Sequence, residues 1–99
     1  MSVKTDGVTW NIDDEILSLV LLIDDQSFVA AAIQRAIGEE PDITMRYCAN
    51  PLEAVELAVA IRPTVVLLDL EMPQKDGLAL LREFRAHPEL RLLPVIGLM

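Results

Sequence analysis

Two apolar runs in this sequence stop at acids. LVLLI, residues 19–23, ends at Asp24 and Asp25, and TVVLLD, residues 64–69, ends at Asp69. One carboxylate at a strand end is often only a solvated terminus, but the same pattern at two strand ends asks for a chemical reason. If the runs are neighbouring strands, Asp24, Asp25 and Asp69 meet at one edge of a sheet. Two unit charges about 4 Å apart repel by roughly 4 kcal/mol at an effective dielectric of ~20. Such a cluster either raises carboxyl pKa values or recruits a cation. Hard oxygen ligands suit Mg²⁺, which keeps several waters and shares its shell with phosphoryl oxygens.

The elements that must position these acids can be read along the chain. LVLLI is a short continuous apolar run, the signature of a strand covered on both faces. SFVAAAIQRAIGEE follows with Val29, Ala32, Ile33, Ala36 and Ile37 at helical spacing, and Gly38 marks a stop. ITMRYC, residues 43–48, alternates and reads as a second strand at a sheet edge. NPLEAVELAVAIRP opens on Asn50 as N-cap, with Pro51 at the first helical position and Glu53 completing a capping-box-like pattern. TVVLLD is the third strand, LALLREFRAH carries Leu78, Leu81 and Phe84 on one helical face, and LPVIGL, residues 93–98, is a fourth strand. The order β-α-β-α-β-α-β predicts an α/β fold, a parallel sheet with helices on both faces. In such sheets functional groups collect at the carboxyl ends of the strands, where the acids lie.

Composition narrows the class. A chain of 99 residues with 53% hydrophobic residues makes a single folded domain. Net charge is −8, with only Lys4 and Lys75 beside the arginines, so direct nucleic-acid binding is disfavoured. Cys48 stands alone, which excludes an internal disulfide and points to a reducing cytoplasm. No apolar run approaches the ~20 residues of a membrane span. Residues 1–17 read as an N-terminal tail or short extra helix around the Asp13–Glu15 run, with Trp10 as a possible anchor; residues 18–99 read as the domain. No GxGxxG or GxxxxGK[ST] loop is present, which argues against a nucleotide-binding module.

The stretches LLIDDQ, VVLLDLEMP and DGLALL resemble the receiver domain of two-component response regulators, over residues 19–98. That resemblance implies a flavodoxin-like fold of parallel strand order 2-1-3-4-5, in which a sensor histidine kinase or phosphotransfer protein passes a phosphoryl group to an aspartate. By this resemblance Asp69 is the phosphoacceptor, and Asp24, Asp25, Asp69 and the backbone carbonyl of Glu71 are the Mg²⁺ ligands. Met72 and Pro73 match the family's Met-Pro turn, and Asp76 and Gly77 match the DG pair opening the third helix. The Glu71 side chain would project over the site and tune the lifetime of the phosphorylated state.

The sequence also departs from the family pattern. Met99 stands where a Ser or Thr normally hydrogen-bonds the phosphoryl group, and the lysine following the family's fifth strand has no counterpart. Lys75 lies in the loop after the third strand and is no obvious replacement. The expectation is therefore an incomplete fold: a piece of a longer regulator lacking its C-terminal effector domain, with an open fourth strand favouring a homodimer or segment-exchanged oligomer. The stretches DDQ, NPLEAVELA, RPTVVLLDLEMP and DGLALLREFR look most like receivers joined to diguanylate cyclases. Two other functions compete. A degenerate receiver would act only as a protein-interaction surface. A haloacid-dehalogenase-type phosphohydrolase would need an Asp two residues after the nucleophile, where this chain has Glu71. Cys48 reads as a packing residue, and His87 as a cation at a helix end.

Overall fold

The computed structural model describes residues 18–99 and the backbone pairing of two N-terminal strands. Those strands, β1 (Ser2–Thr5) and β2 (Val8–Asn11), pair antiparallel within the segment read as a tail or short helix. The Asp13–Glu15 run lies outside the described residues.

The domain then alternates as expected. Its elements are β3 (Ser18–Ile23), α1 (Ser27–Ile37), β4 (Ile43–Cys48), a 3₁₀ turn (Pro51–Glu53) leading into α2 (Ala54–Ile61), β5 (Val65–Asp69), α3 (Gly77–Ala86) and β6 (Val95–Leu98). The four strands β3 to β6 form one parallel sheet of order β4-β3-β5-β6, so β3 and β5 are central neighbours. That order is the start of the flavodoxin-like arrangement. β4 lies at one edge, as its alternating pattern indicated, and β6 at the other.

The two faces of the sheet are unequally covered. Register places Leu21 beside Val66 and Ile23 beside Leu68, and all four are fully buried with Ala54, Ala58, Leu80 and Phe84 from α2 and α3. On the opposite face Leu22 is fully buried, but Val65 and Leu67 are only half-buried and Ile96 is exposed. β5 is therefore apolar on both faces yet sealed on only one. Burying a Leu or Ile side chain stabilises the fold by about 1.5–3 kcal/mol, so most of the stability comes from the α2–α3 face.

Two helical faces differ from the spacing-based expectation. In α1 the inward residues are Ala30, with Val29, Ile33 and Ile37 half-buried, whereas Ala32 and Ala36 face solvent. Alanine fits either side of a helix, so its spacing carries little directional information. In α3 Leu80 and Phe84 are buried and Leu81 half-buried, while Leu78 is 49% exposed. The buried line runs through Gly77, Leu80 and Phe84, and Leu78, one residue past Gly77, falls to the side of it.

Caps fix the helix starts. Asn50 Oδ1 accepts from the Leu52 N–H at 3.0 Å, so the first turn is a 3₁₀ turn capped by Asn50. Asp76 Oδ1 accepts from the Leu78 N–H at 3.1 Å and caps α3. α2 ends on Arg62 in the left-handed region, φ 49°, with its N–H donating to Ala58 O. Past α3, Arg85 Nη1 donates to the Leu93 and Arg91 carbonyls at 2.7 and 3.1 Å, ordering the loop that leads into β6.

Gly77 is required by close approach. A Cβ there would lie 2.5 Å from Leu70 Cα and 2.8 Å from Asp69 O, both backbone atoms that cannot swing aside. Gly77→Ala is therefore expected to lower the unfolding free energy by about 1–3 kcal/mol through overpacking, read from urea unfolding.

Candidate functional site

The acids arrive where the sheet directs them. β3 ends at Ile23 and delivers Asp24 and Asp25; β5 ends on Asp69; and the two strands pair directly through Ile23 and Leu68. Among the described residues Asp24, Asp25 and Asp69 each offer a carboxylate oxygen, and these oxygens all lie within 4.8 Å of one another. The three acids singled out from sequence are thus brought together.

Backbone donors hold two of them. Gln26 N–H donates to Asp24 Oδ1 at 2.8 Å, and Glu71 N–H donates to Asp69 Oδ1 at 2.9 Å. Both are side-chain turns, each tying an acid to the loop two residues on. Asp24 is 3% exposed, the one buried charged residue described. Burial raises its carboxyl pKa above the ordinary value, and the neighbouring charges of Asp69 and Asp25 raise it further. The Gln26 N–H opposes that shift.

Asp25 supplies the sharper signal. Its Oδ1 is shut off from solvent and has no hydrogen-bond partner among the described residues. A buried carboxylate oxygen left unpaired costs free energy unless something positive meets it. An orphaned oxygen, a like-charge cluster and an all-oxygen donor set together fit a hard divalent cation.

In front of the acids opens a cleft of about 240 Å³, lined by Asp24, Gln26, Val29, Asp69, Glu71, Leu98 and Met99. Glu71 is exposed on its rim, and Met99 lines it beside the acids. Gln26, Val29 and Leu98 were not singled out from sequence as site residues. Gln26 was the findable one, because it follows the acid pair directly and begins a helix.

The remaining candidates sit elsewhere. The Lys75 ammonium is ion-paired with Glu83 of α3. Asp76 and Gly77 serve the start of α3 as cap and close-packed glycine. Met72 is buried in the core. Cys48 is buried and donates to the Asn50 carbonyl at 3.1 Å, with its thiol pKa pushed up by burial, so it packs rather than reacts. His87, at the end of α3, accepts the Glu89 N–H on Nδ1 at 3.1 Å and closes the turn that follows.

Acids gathered at the carboxyl edge of a parallel sheet, beside the point where strand order reverses, define a flavodoxin-like module with an acidic working edge. The chain belongs to the response regulator receiver domain family, which it matches over residues 20–98. It is 36% identical over 69 residues to a protein-glutamate methylesterase/protein-glutamine glutaminase of Shewanella frigidimarina, covering 69% of this chain and 17% of that protein. Among solved structures it is similar to the N-terminal domain of a response regulator receiver protein from Methanoculleus marisnigri, at 26% identity and a TM-score of 0.77, covering 84% of this chain and 67% of that one. It is also similar to the receiver domain of a signal transduction histidine kinase from Syntrophus aciditrophicus, at 33% identity and a TM-score of 0.73, covering 83% and 61%. The chain thus spans about a fifth of the length of the curated relatives it matches. No helix among the described residues is long and apolar enough to cross a membrane.

Proposed function

We propose that this chain is a phosphoacceptor signalling module in which Asp69 receives a phosphoryl group from a histidine kinase or phosphotransfer protein. The observation that carries this reading is the convergence of Asp24, Asp25 and Asp69 at the sheet edge, with Asp25 Oδ1 buried and unpaired. Asp69 Oδ1 is occupied by the Glu71 N–H, so Oδ2 is the oxygen that attacks phosphorus. A bond forms from Oδ2 to phosphorus while the bond from phosphorus to the donor's leaving nitrogen or oxygen breaks, giving an acyl phosphate on Asp69. Water later returns the carboxylate, which makes the domain a timed switch rather than a turnover enzyme. Asp24, Asp25, Asp69 and the Glu71 carbonyl would hold Mg²⁺, which supplies positive charge against the phosphoryl oxygens when bound. The Glu71 side chain, on the rim of the cleft, would meet incoming water and so tune the lifetime of the acyl phosphate.

A second reading has its own support. Met99, 99% exposed, lines the cleft where the resemblance expects a hydroxyl, which favours a receiver that serves only as an interaction surface. The outer edge of β6 and the exposed Ile96 would suit pairing with another chain, by dimerisation or segment exchange. The net charge of −8 keeps nucleic acid out of either reading. A reducing cytoplasm suits the unpaired, buried Cys48. The methylesterase activity belongs to the named relative. The likeness to diguanylate cyclase-linked receivers rests on the sequence stretches alone.

Incubation with acetyl phosphate and Mg²⁺, followed by intact mass, separates the two readings. The switch predicts one added phosphoryl group on the wild type and none on Asp69→Asn. A folded wild type that gains nothing supports the interaction surface instead.

A further inference from the structure

We infer that Leu70 is a positioning residue, a peg seated between Gly97 and Gly77 that sets the loop carrying Asp69 and Glu71; this rests on the proposed metal and phosphoacceptor reading. Leu70 follows Asp69 directly, and its N–H donates to the Leu98 carbonyl at 3.0 Å, tying the loop to β6. By strand alternation its side chain lies on the same face as Leu68, packed against the core that α2 and α3 cover. There it fills the notch left by a missing side chain. A Cβ on Gly97 would lie 3.0 Å from Leu70 Cδ1 and 3.3 Å from Cγ. From above, Gly77 presses on the same residue, where its own Cβ would meet Leu70 Cα at 2.5 Å. Glycines from two different elements thus close on one leucine.

The consequence falls on the site. The peptide leaving Leu70 carries the Glu71 N–H that holds Asp69 Oδ1, and Glu71 is bridged to Asp76 across the loop. The Glu71 carbonyl, a proposed cation ligand, sits on the next peptide. A shift of Leu70 by a few tenths of an ångström therefore moves an acid's hydrogen bond and a ligand together, while Asp24 and Asp25 stay on β3. Groups that orient metal ligands from behind typically change affinity when altered.

The test is a size swap read by Mg²⁺ titration, following the backbone amide resonances of Asp69, Leu70 and Glu71 in the 99-residue chain. Gly97→Ala crowds the peg, Leu70→Ala empties its seat, and Leu70→Ala with Gly97→Val returns the lost carbons from the other side. Each single change is expected to weaken Mg²⁺ binding about tenfold and to move the Glu71 amide before metal is added. The paired change is expected to recover most of that loss. Leu70→Val serves as a milder variant should Leu70→Ala fail to fold. A leucine that only packs would give a different result: lower urea midpoints with Mg²⁺ affinity unchanged, or a pair no better than its singles. Either outcome overturns the inference. A wild type whose amides ignore Mg²⁺ would overturn the metal-site reading, and this inference with it.

Discussion

Mg²⁺ at about 100 times its dissociation constant is expected to raise the unfolding free energy of the wild type by ~2.7 kcal/mol. The same addition is expected to do almost nothing for Asp25→Asn. The folded state places the Asp24, Asp25 and Asp69 oxygens within 4.8 Å of each other, whereas the unfolded chain scatters them. Without a cation that crowding opposes folding, and Asp24 shows the sign. Its folded-state pKa is raised above the unfolded value, chiefly by burial and then by Asp69 and Asp25. The folded state therefore holds its proton more tightly than the unfolded state. Stability contributed by this group is present below the unfolded pKa and is lost as pH rises through the folded pKa. At neutral pH the metal-free protein should accordingly gain stability from Asp24→Asn and lose its response to Mg²⁺ in the same step. Urea unfolding across pH, with and without Mg²⁺, reads both effects. A wild type equally stable with and without Mg²⁺ would contradict the cation site.

Phe84→Ala is expected to cost about 3–5 kcal/mol. Phe84 is the largest fully buried side chain, on α3 and in one buried cluster with Val66, Leu68 and Leu80. Natural domains hold only about 5–15 kcal/mol in total, so this one change removes a large part of the margin. The unequal sheet faces supply the internal control. Ile96, 53% exposed on the opposite face, should tolerate truncation to Ala with far less loss. Denaturant midpoints measured side by side check the contrast; equal losses at the two positions would contradict the assignment of the core to the α2–α3 face.

Much of this molecule was legible because its signals were redundant. β3 and β5 were readable as central strands because both runs are apolar on both faces, although β5 is sealed on only one. Asp24, Asp25 and Asp69 were readable because both runs stop at acids, and parallel connection forces both ends to one edge. Asn50 was readable as a helix cap before a hydrophobic period began, whereas Asp76, matched only as part of the DG pair, shows its capping role in the structure. The rest was set by packing that one-dimensional patterns do not carry. Ala32 and Ala36 share the spacing of Ile33 and Ile37, but small side chains do not fix which way a helix turns. The half-cover on Val65 and Leu67 depends on tertiary packing over that face. Gly97 and Leu70 stand on different elements, and only the pairing of β5 with β6 brings them into contact. The unpaired oxygen of Asp25 likewise has no sequence signature, since it follows from what does not reach it.

Asp69 is proposed to accept a phosphoryl group at a cation-dependent site. Fragmentation mass spectrometry on the chain after acetyl phosphate treatment tests it most directly, because it locates the modified residue. A single phosphoryl group on Asp69 is expected, formed with Mg²⁺, absent when the metal is chelated and absent from Asp69→Asn. A phosphoryl group on any other residue, or equal labelling of Asp69→Asn, would contradict it.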